Sequence, residues 1–405
     1  MNTPHGGVAL AAFRLDDPEL VESGDPGGML RQIAASAAQV RTALRACDET
    51  DLSALRPDSR PRAIVTAGAG GSVFAGDTLA AICGPRSPVQ VAGASGYQLP
   101  GWVGAADLVI AVSRSGETAE VLALAAEAAR RGCDLVGVCA PGSPLQQVTL
   151  AARGTFIPVT AGGPARCTPW ALAVPLLVIA TRLGVARVDA AAYESAATAM
   201  EDISHQCRPS SESFVNPAKS LALDLVGSLP LIWGGSPLAA VAALRFASQL
   251  AANAKYPSIA GVLPDVGHDQ VAAFDGPFAP APEPDFPAAE EFDDAPFDEF
   301  SEADVSGLDD APDNSTLLRL VLLADPSGEH SAVTRGRDAA AALAAARGIE
   351  VSEITMDGAE LLPRLASAVH LLDYASVYLG IACGIDPLAI AAIKDLRDLT
   401  EPPVL

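Results

Sequence analysis

The chain has 405 residues, a formal net charge of −23, half of its residues apolar and only 5% aromatic. That length predicts two or three domains, and the Ala-rich apolar half suits a helix-rich α/β protein with small side chains at its packing surfaces. The acidity excludes nucleic acid as a partner, since no basic stripe is present to meet its phosphates; a small anionic substrate stays open, because a site's field is local and net charge is not.

Cys47, Cys83, Cys133, Cys139, Cys167, Cys207 and Cys383 are scattered, with no pair at metal-ligand spacing. They read as reduced core thiols of a cytoplasmic protein, and five dispersed histidines predict no metal site. No basic-then-apolar leader opens the chain. No run reaches about 18 uninterrupted apolar residues, so no membrane span is predicted.

In chain order, residues 1–26 are polar with Gly and Pro and are expected to be loose. Residues 27–47 are predicted as a helix, because Met29, Ile33, Ala37, Val40 and Leu44 recur at helical spacing. From Arg62 strands and helices alternate, the pattern of a parallel sheet covered on both faces. Two consecutive strand–loop–helix units stand out. In the first, Ala63-Ile64-Val65-Thr66 runs through Ala67-Gly68-Ala69-Gly70-Gly71-Ser72 into a helix. In the second, residues 107–112 run through Ser113-Arg114-Ser115-Gly116-Glu117-Thr118 into another. Backbone N–H groups at a helix start are unpaired and sit at the positive end of its dipole. Small residues let a phosphate approach them, and Ser and Thr hydroxyls add donors. Two such loops on neighbouring strands converge on one crevice, so Gly71, Ser72, Ser113, Ser115 and Thr118 are the candidate phosphate ligands. The plainer reading is two ordinary turns with Gly at tight corners and Ser or Thr as caps.

A strand follows at 134–139, with edge strands at 89–92 and 155–159. The loop Gly162-Gly163-Pro164-Ala165-Arg166 precedes a long apolar helix that Pro169 starts, and a second helix covers 189–207. Residues 208–212 mark a domain boundary. The plan then repeats: a helix at 217–225 capped by Asn216, a strand at 230–233, the corner Gly234-Gly235-Ser236-Pro237, and a helix from 238 to about 254. From Glu283 to Asp313 the chain holds thirteen acids and no Lys or Arg. Such a stretch cannot bury enough apolar surface to order itself, so about 275–315 is expected to be a disordered insertion. A strand resumes at 316–324, then a helix at 339–347, a strand at 349–354, and helices at 361–383 and 386–396.

These motifs resemble the sugar isomerase (SIS) domain superfamily, and the two-lobed layout resembles its bifunctional phosphoglucose/phosphomannose isomerases. Gly68-Ala69-Gly70-Gly71-Ser72 is similar to the first glycine–serine corner of that family. Ser113 to Thr118 is similar to its S-x-S-G-x-T phosphate loop. Gly163-Pro164-Ala165-Arg166 resembles the loop that offers an arginine to the sugar. Gln249 to Pro257, followed by Val266-Gly267-His268-Asp269, resembles the second-lobe catalytic segment, and Gly384-Ile385-Asp386-Pro387 the C-terminal part. The resemblance implies an α/β fold of two SIS lobes, 27–207 and 208–405, each a mostly parallel sheet flanked by helices. It also implies a hexose 6-phosphate substrate held through its phosphate, no cofactor, and a homodimer. Arg166 would lie near the sugar hydroxyls, His268 would assist ring opening, and Lys394, or Arg397 in its place, would reach the site from the last helix.

One departure bears on mechanism. The family's glutamate base lies sixteen residues before the histidine, and that position here is Ala252. Alanine accepts no proton. Either another carboxylate substitutes, with Asp265 and Asp269 nearest in sequence, or the protein has kept phosphosugar binding as a sensor or regulator without catalysis. Arg166, His268 and Lys394 also read as solvated or structural charges, Lys255 as the partner of a neighbouring carboxylate, and Glu117 as a first-turn dipole partner.

Overall fold

Buried aliphatic strands at the centre of each half of the chain build two parallel sheets. The computed structural model describes residues 4–280 and 316–400; most of the expected acidic insertion lies outside the described residues.

The N-terminus is not loose. Residues Pro4–Asp16 form α1 and Pro18–Gly24 form α2. Ala11 and Leu15 of α1 and Val21 of α2 are buried. Asp17 caps α2, with Pro18 in its first turn. The predicted helix at 27–47 divides at Ala35 into α3 (Met29–Ala34) and α4 (Ser36–Asp48). The first sheet then assembles from β1 (Ala63–Gly68), β2 (Gln90–Ala94), β3 (Leu108–Ser113), β4 (Asp134–Cys139) and β5 (Thr155–Pro158). Its helices are α5 (Val73–Cys83), α6 (Ala119–Arg130), α7 (Pro144–Ala151), α8 (Pro169–Arg182) and α9 (Ala190–Gln206). The strand order is β2-β1-β3-β4-β5, with every neighbour parallel. β1 and β3 are buried along their whole length, as the covered centre of a parallel sheet requires.

The second half begins with α10 (Pro217–Leu225), which Asn216 caps through the amides of Ala218 and Lys219. It continues with β6 (Ser228–Gly234), α11 (Pro237–Gln249), β7 (Ile259–Val262), β8 (Leu317–Ala324), α12 (Ser331–Ala345), β9 (Glu350–Thr355), α13 (Leu361–Ala382) and α14 (Ala391–Thr400). The parallel order β7-β6-β8-β9 repeats the 2-1-3-4 part of the first sheet. β7 was not expected. Ile259 and Val262 are exposed and the two residues between them half-buried, so it carries no run of buried apolar positions.

α13 joins the two halves. It is long and apolar enough to cross a membrane by length and composition, but its most apolar window is 89% buried inside the protein. It packs against α9, α10, α11 and α1. Arg245 and Gln249 of α11 meet its Asp373. Arg245 donates from Nε (2.9 Å) and Nη2 (2.7 Å), and Gln249 from Nε2 (3.1 Å). Five of the seven cysteines are buried free thiols; Cys83 is half-buried and Cys383 exposed.

Candidate active site

The first sheet reverses direction between β1 and β3. The chain leaves β1, adds β2 on one side, and returns to place β3 on the other. In an open parallel sheet, ligands bind at that reversal, beyond the carboxyl ends of the two strands. Gly68 ends β1 opposite Val112 of β3, so loops 69–72 and 114–118 rise from adjacent strand ends.

Both loops open helices whose first-turn amides have no capping side chain. Ser72 precedes α5 and Thr118 precedes α6, and neither side chain caps its helix. α7, α9, α10 and α11 are capped by Ser143, Asp189, Asn216 and Ser236, while α4, α8 and α13 share the lack of a side-chain cap. An uncapped helix start leaves N–H donors and a positive dipole end for an anion. In the second loop, Ser113 Oγ and Thr118 Oγ1 lie 2.9 Å apart, and Gly116 N donates to Ser113 Oγ at 3.0 Å. Glu117 N donates to Ser115 Oγ at 3.2 Å. Gly116 has φ +72°, and a Cβ there would run into Ser143 and meet Cys139 Cβ at 3.2 Å. Only glycine fits this turn.

The structure brings Ser113, Ser115 and Thr118 together in one loop. Ser72 lines a hollow of about 190 Å³ on the β2 side, with Thr66, Gly68, Asp77, Ser95 and Val112. Ser113, Ser115 and Thr118 do not line that hollow. Burial raises the Asp77 carboxyl above its usual range.

Gly71 connects the first corner to Arg166. A Cβ on Gly71 would lie 3.0 Å from Arg166 N and 3.1 Å from Ala165 C, so the 165–166 loop rests directly on the glycine backbone. The Arg166 carbonyl is held by Arg245 Nη2 (2.9 Å) and Gln249 Nε2 (3.2 Å). Its guanidinium crosses to the second half. Nε donates to Asn253 Oδ1 (3.0 Å), and Nη2 donates to the carbonyls of Pro387 (3.2 Å) and Leu388 (3.1 Å). Burial lowers its pKa. Arg166 is therefore a half-buried bridge between the two halves and not a loose surface charge.

Asn253 lies in a π-helical turn, Leu250–Ala254, that extends α11. Such turns occur frequently at functional sites. Ala252 is half-exposed on this turn. Lys255 follows in a left-handed conformation and donates from Nζ to Asp386 O (2.8 Å), Ala252 O (3.1 Å) and Asn253 O (3.3 Å). Its pKa is lowered by partial burial and by Arg166.

His268 and Lys394 are not drawn into this cluster. Both are exposed, and no described hydrogen bond joins either side chain to Arg166 or Asn253. Asp265 is exposed, and Asp269 accepts the amide of its own neighbour, Gln270. Arg397 is also exposed on α14.

Two family models match in sequence. The bacterial phospho-glucose isomerase C-terminal SIS domain matches residues 214–399, and the SIS domain matches residues 59–156. The chain belongs to the SIS domain superfamily. A bifunctional phosphoglucose/phosphomannose isomerase of Caldicellulosiruptor bescii is 24% identical over 335 residues, covering 83% of this chain and 88% of that one. One from Aquifex aeolicus is 23% identical over 302 residues, covering 75% and 78%. In fold, the chain is similar to a glucose-6-phosphate isomerase of Chlamydia trachomatis, with a TM-score of 0.65 at 12% identity over 98% of this chain and 84% of the other.

The two SIS lobes treat their glycine–serine corners differently. In the second lobe, β6 and β8 mark the equivalent reversal. There Ser236 Oγ accepts from Ala239 N at 3.0 Å and meets Asp325 Oδ2 at 2.5 Å. Asp325 is fully buried and pairs with Arg364, Nε to Oδ1 2.8 Å. Glu329 accepts Asp325 N and pairs with Arg337. The protein's own carboxylates thus occupy the second corner, whereas the starts of α5 and α6 in the first lobe have no capping side chain.

Proposed function

We propose that this SIS protein is a phosphosugar isomerase that interconverts fructose 6-phosphate with glucose 6-phosphate and mannose 6-phosphate. The observation that carries the reading is the pair of uncapped helix starts on adjacent strands of the first lobe, with Arg166 bridging from beside them to the π-helical turn. In this reading the positive ends of α5 and α6, with the hydroxyls of Ser72, Ser113, Ser115 and Thr118, hold the phosphate. Arg166 faces the sugar. His268 assists ring opening, and Lys394 approaches from α14. The names of the curated relatives support the substrate class.

The active form is a cytoplasmic homodimer. Ile393, Leu396 and Leu399 of α14 are 49%, 64% and 84% exposed, an apolar face that a second copy would cover. Free cysteines fit a reducing compartment. Sedimentation that finds only monomer would remove this part.

Ala252 favours a second reading, in which the same site senses hexose phosphates without turning them over. Incubation with fructose 6-phosphate at high protein concentration separates the two. Formation of aldose 6-phosphate supports the isomerase. Binding by calorimetry with no product after long incubation supports the sensor.

A further inference from the structure

The isomerase reading leaves a proton acceptor to be found, because position 252 has none. We propose that Asp386 is the catalytic base of this protein. The inference rests on the isomerase reading and adds the residue that performs its central step.

The geometry places the Asp386 loop against the turn that lacks a carboxylate. Lys255 Nζ ties Asp386 O to the carbonyls of Ala252 and Asn253. Arg166 spans Asn253 Oδ1 and the carbonyls of Pro387 and Leu388. Gly380 of α13 lets the two segments close up: a Cβ there would lie 3.0 Å from Asn253 O and 3.5 Å from Ile385 O. Segment 384–388 is thereby fixed to the turn from three directions.

Four other acids compete for the role, and each is placed worse. Asp25 is near Asp386, and burial raises its pKa, but both its oxygens cap α3, Oδ1 from Met29 N (2.7 Å) and Oδ2 from Leu30 N (2.9 Å). Asp77 opens into the hollow beside Ser72, on the β2 side of the sheet, whose lining does not include Asn253 or Arg166. Asp265 and Asp269 sit on the exposed 265–269 loop. Asp386 is half-buried and commits only Oδ1, to Leu388 N at 2.8 Å, among the described residues. Its other oxygen remains as an acceptor beside two fixed cations, Arg166 and Lys255.

The step balances without a cofactor. Asp386 takes the C2 proton of the open-chain aldose, and the C–H electron pair becomes the C1=C2 bond of an enediol. The C2 hydroxyl proton passes to O1, directly or through solvent. The carboxyl then returns its proton to C1 as the C2 carbonyl forms. A base placed in this way contributes roughly 10²- to 10⁴-fold in rate.

Asp386→Asn tests the assignment, because an Asn amide oxygen still accepts Leu388 N and keeps the turn. The purified full chain is assayed for interconversion, for exchange of the fructose 6-phosphate C1 proton with solvent deuterium by NMR, and for binding by calorimetry. The expected result is a loss of about 10²-fold or more in kcat and in exchange, with fructose 6-phosphate affinity within about threefold of wild type. Ala252→Glu in the Asp386→Asn background recovers part of the rate. Unchanged turnover in Asp386→Asn overturns the proposal, as does a collapse in Asp77→Asn alone. A wild-type chain that binds fructose 6-phosphate but neither turns it over nor exchanges the proton also overturns the base, while leaving phosphosugar binding intact. A chain that binds no hexose phosphate overturns both readings.

Discussion

Replacing Gly116 by alanine puts a number on the phosphate loop. Gly116 has φ +72°, where an L side chain costs about 1–2 kcal/mol. The new methyl would also run into Ser143 and lie 3.2 Å from Cys139 Cβ. Ser143 caps α7 and cannot retreat freely. Overpacking of this kind costs about 1–3 kcal/mol, so the loop loses about 2–5 kcal/mol in its native conformation. Gly142→Ala is the control. Its φ is +80°, but nothing lies within 4 Å of the added carbon, so it carries only the backbone term. The amide and hydroxyls of 113–118 act together, and each hydrogen bond to a charged phosphate is worth about 1.5–3 kcal/mol. Losing two of them weakens fructose 6-phosphate binding by about 10²- to 10⁴-fold. Calorimetry on Gly116→Ala and Gly142→Ala, with denaturant unfolding of each, measures both effects. Equal affinities in the two variants, at the stability difference expected, would refute the role of this loop.

Three further outcomes follow from buried polar groups. Asp373→Ala strands Arg245 in the core and costs about 3–5 kcal/mol of stability by denaturant unfolding; because Arg245 and Gln249 also hold the Arg166 carbonyl, it weakens hexose phosphate binding as well. A cost under about 1 kcal/mol would show that the pair contributes little. His370 is fully buried, hydrogen-bonded through Nε2 to Ser204 at 2.7 Å, and burial depresses its pKa to about 3. Between the unfolded value, about 6.5, and that depressed value the unfolded chain binds the extra proton, so His370 stabilises fully above pH 6.5 and progressively less below it. The slope is about 1.4 kcal/mol per pH unit, roughly 2 kcal/mol between pH 6.5 and 5. His370→Gln removes that slope from a series of unfolding curves, and an unchanged slope would mean that other groups set it. Finally, Arg166→Ala weakens fructose 6-phosphate binding by about tenfold or more through the lost charged contact, whereas Arg397→Ala leaves it unchanged; the reverse order would place the site on α14.

Much of the first lobe was legible because its signals are local. Strands β1 and β3 are buried, mostly apolar runs, and the starts of α5 and α6 were read to the residue, although the strands end two residues and one residue later than expected, at Gly68 and Ser113. Thr168-Pro169 and Asn216-Pro217 marked helix starts that the structure has. The N-terminal helices were missed because Gly6, Gly7 and Pro18 suggested a loose segment. The structure shows why it folds: Ala11 and Leu15 are buried on α1, which packs against α13, Val21 is buried on α2, and Lys219 donates to Leu15 O. A helix-spaced Val8, Ala11 and Leu15 with Asp17-Pro18 was the available signal. α12 starts eight residues before the predicted helix at 339–347, since Gly336 and two arginines hid a start that His330 caps. The cluster around Arg166 was legible only in part. Sequence separation hides that Asp386, 134 residues beyond Ala252, lies against the same turn, although both lie in motifs that resemble the family's. It also hides the buried pair of Ser236 with Asp325, which distinguishes one glycine–serine corner from the other.

A crystal structure of the protein with fructose 6-phosphate examines the central claim most directly. The account predicts one phosphoryl group between the starts of α5 and α6, with Ser72 Oγ and Thr118 Oγ1 both at hydrogen-bond distance, about 2.5–3.0 Å, and the sugar directed toward Arg166. A phosphate bound only in the hollow beside Asp77, or at the second corner near Asp325, would contradict it.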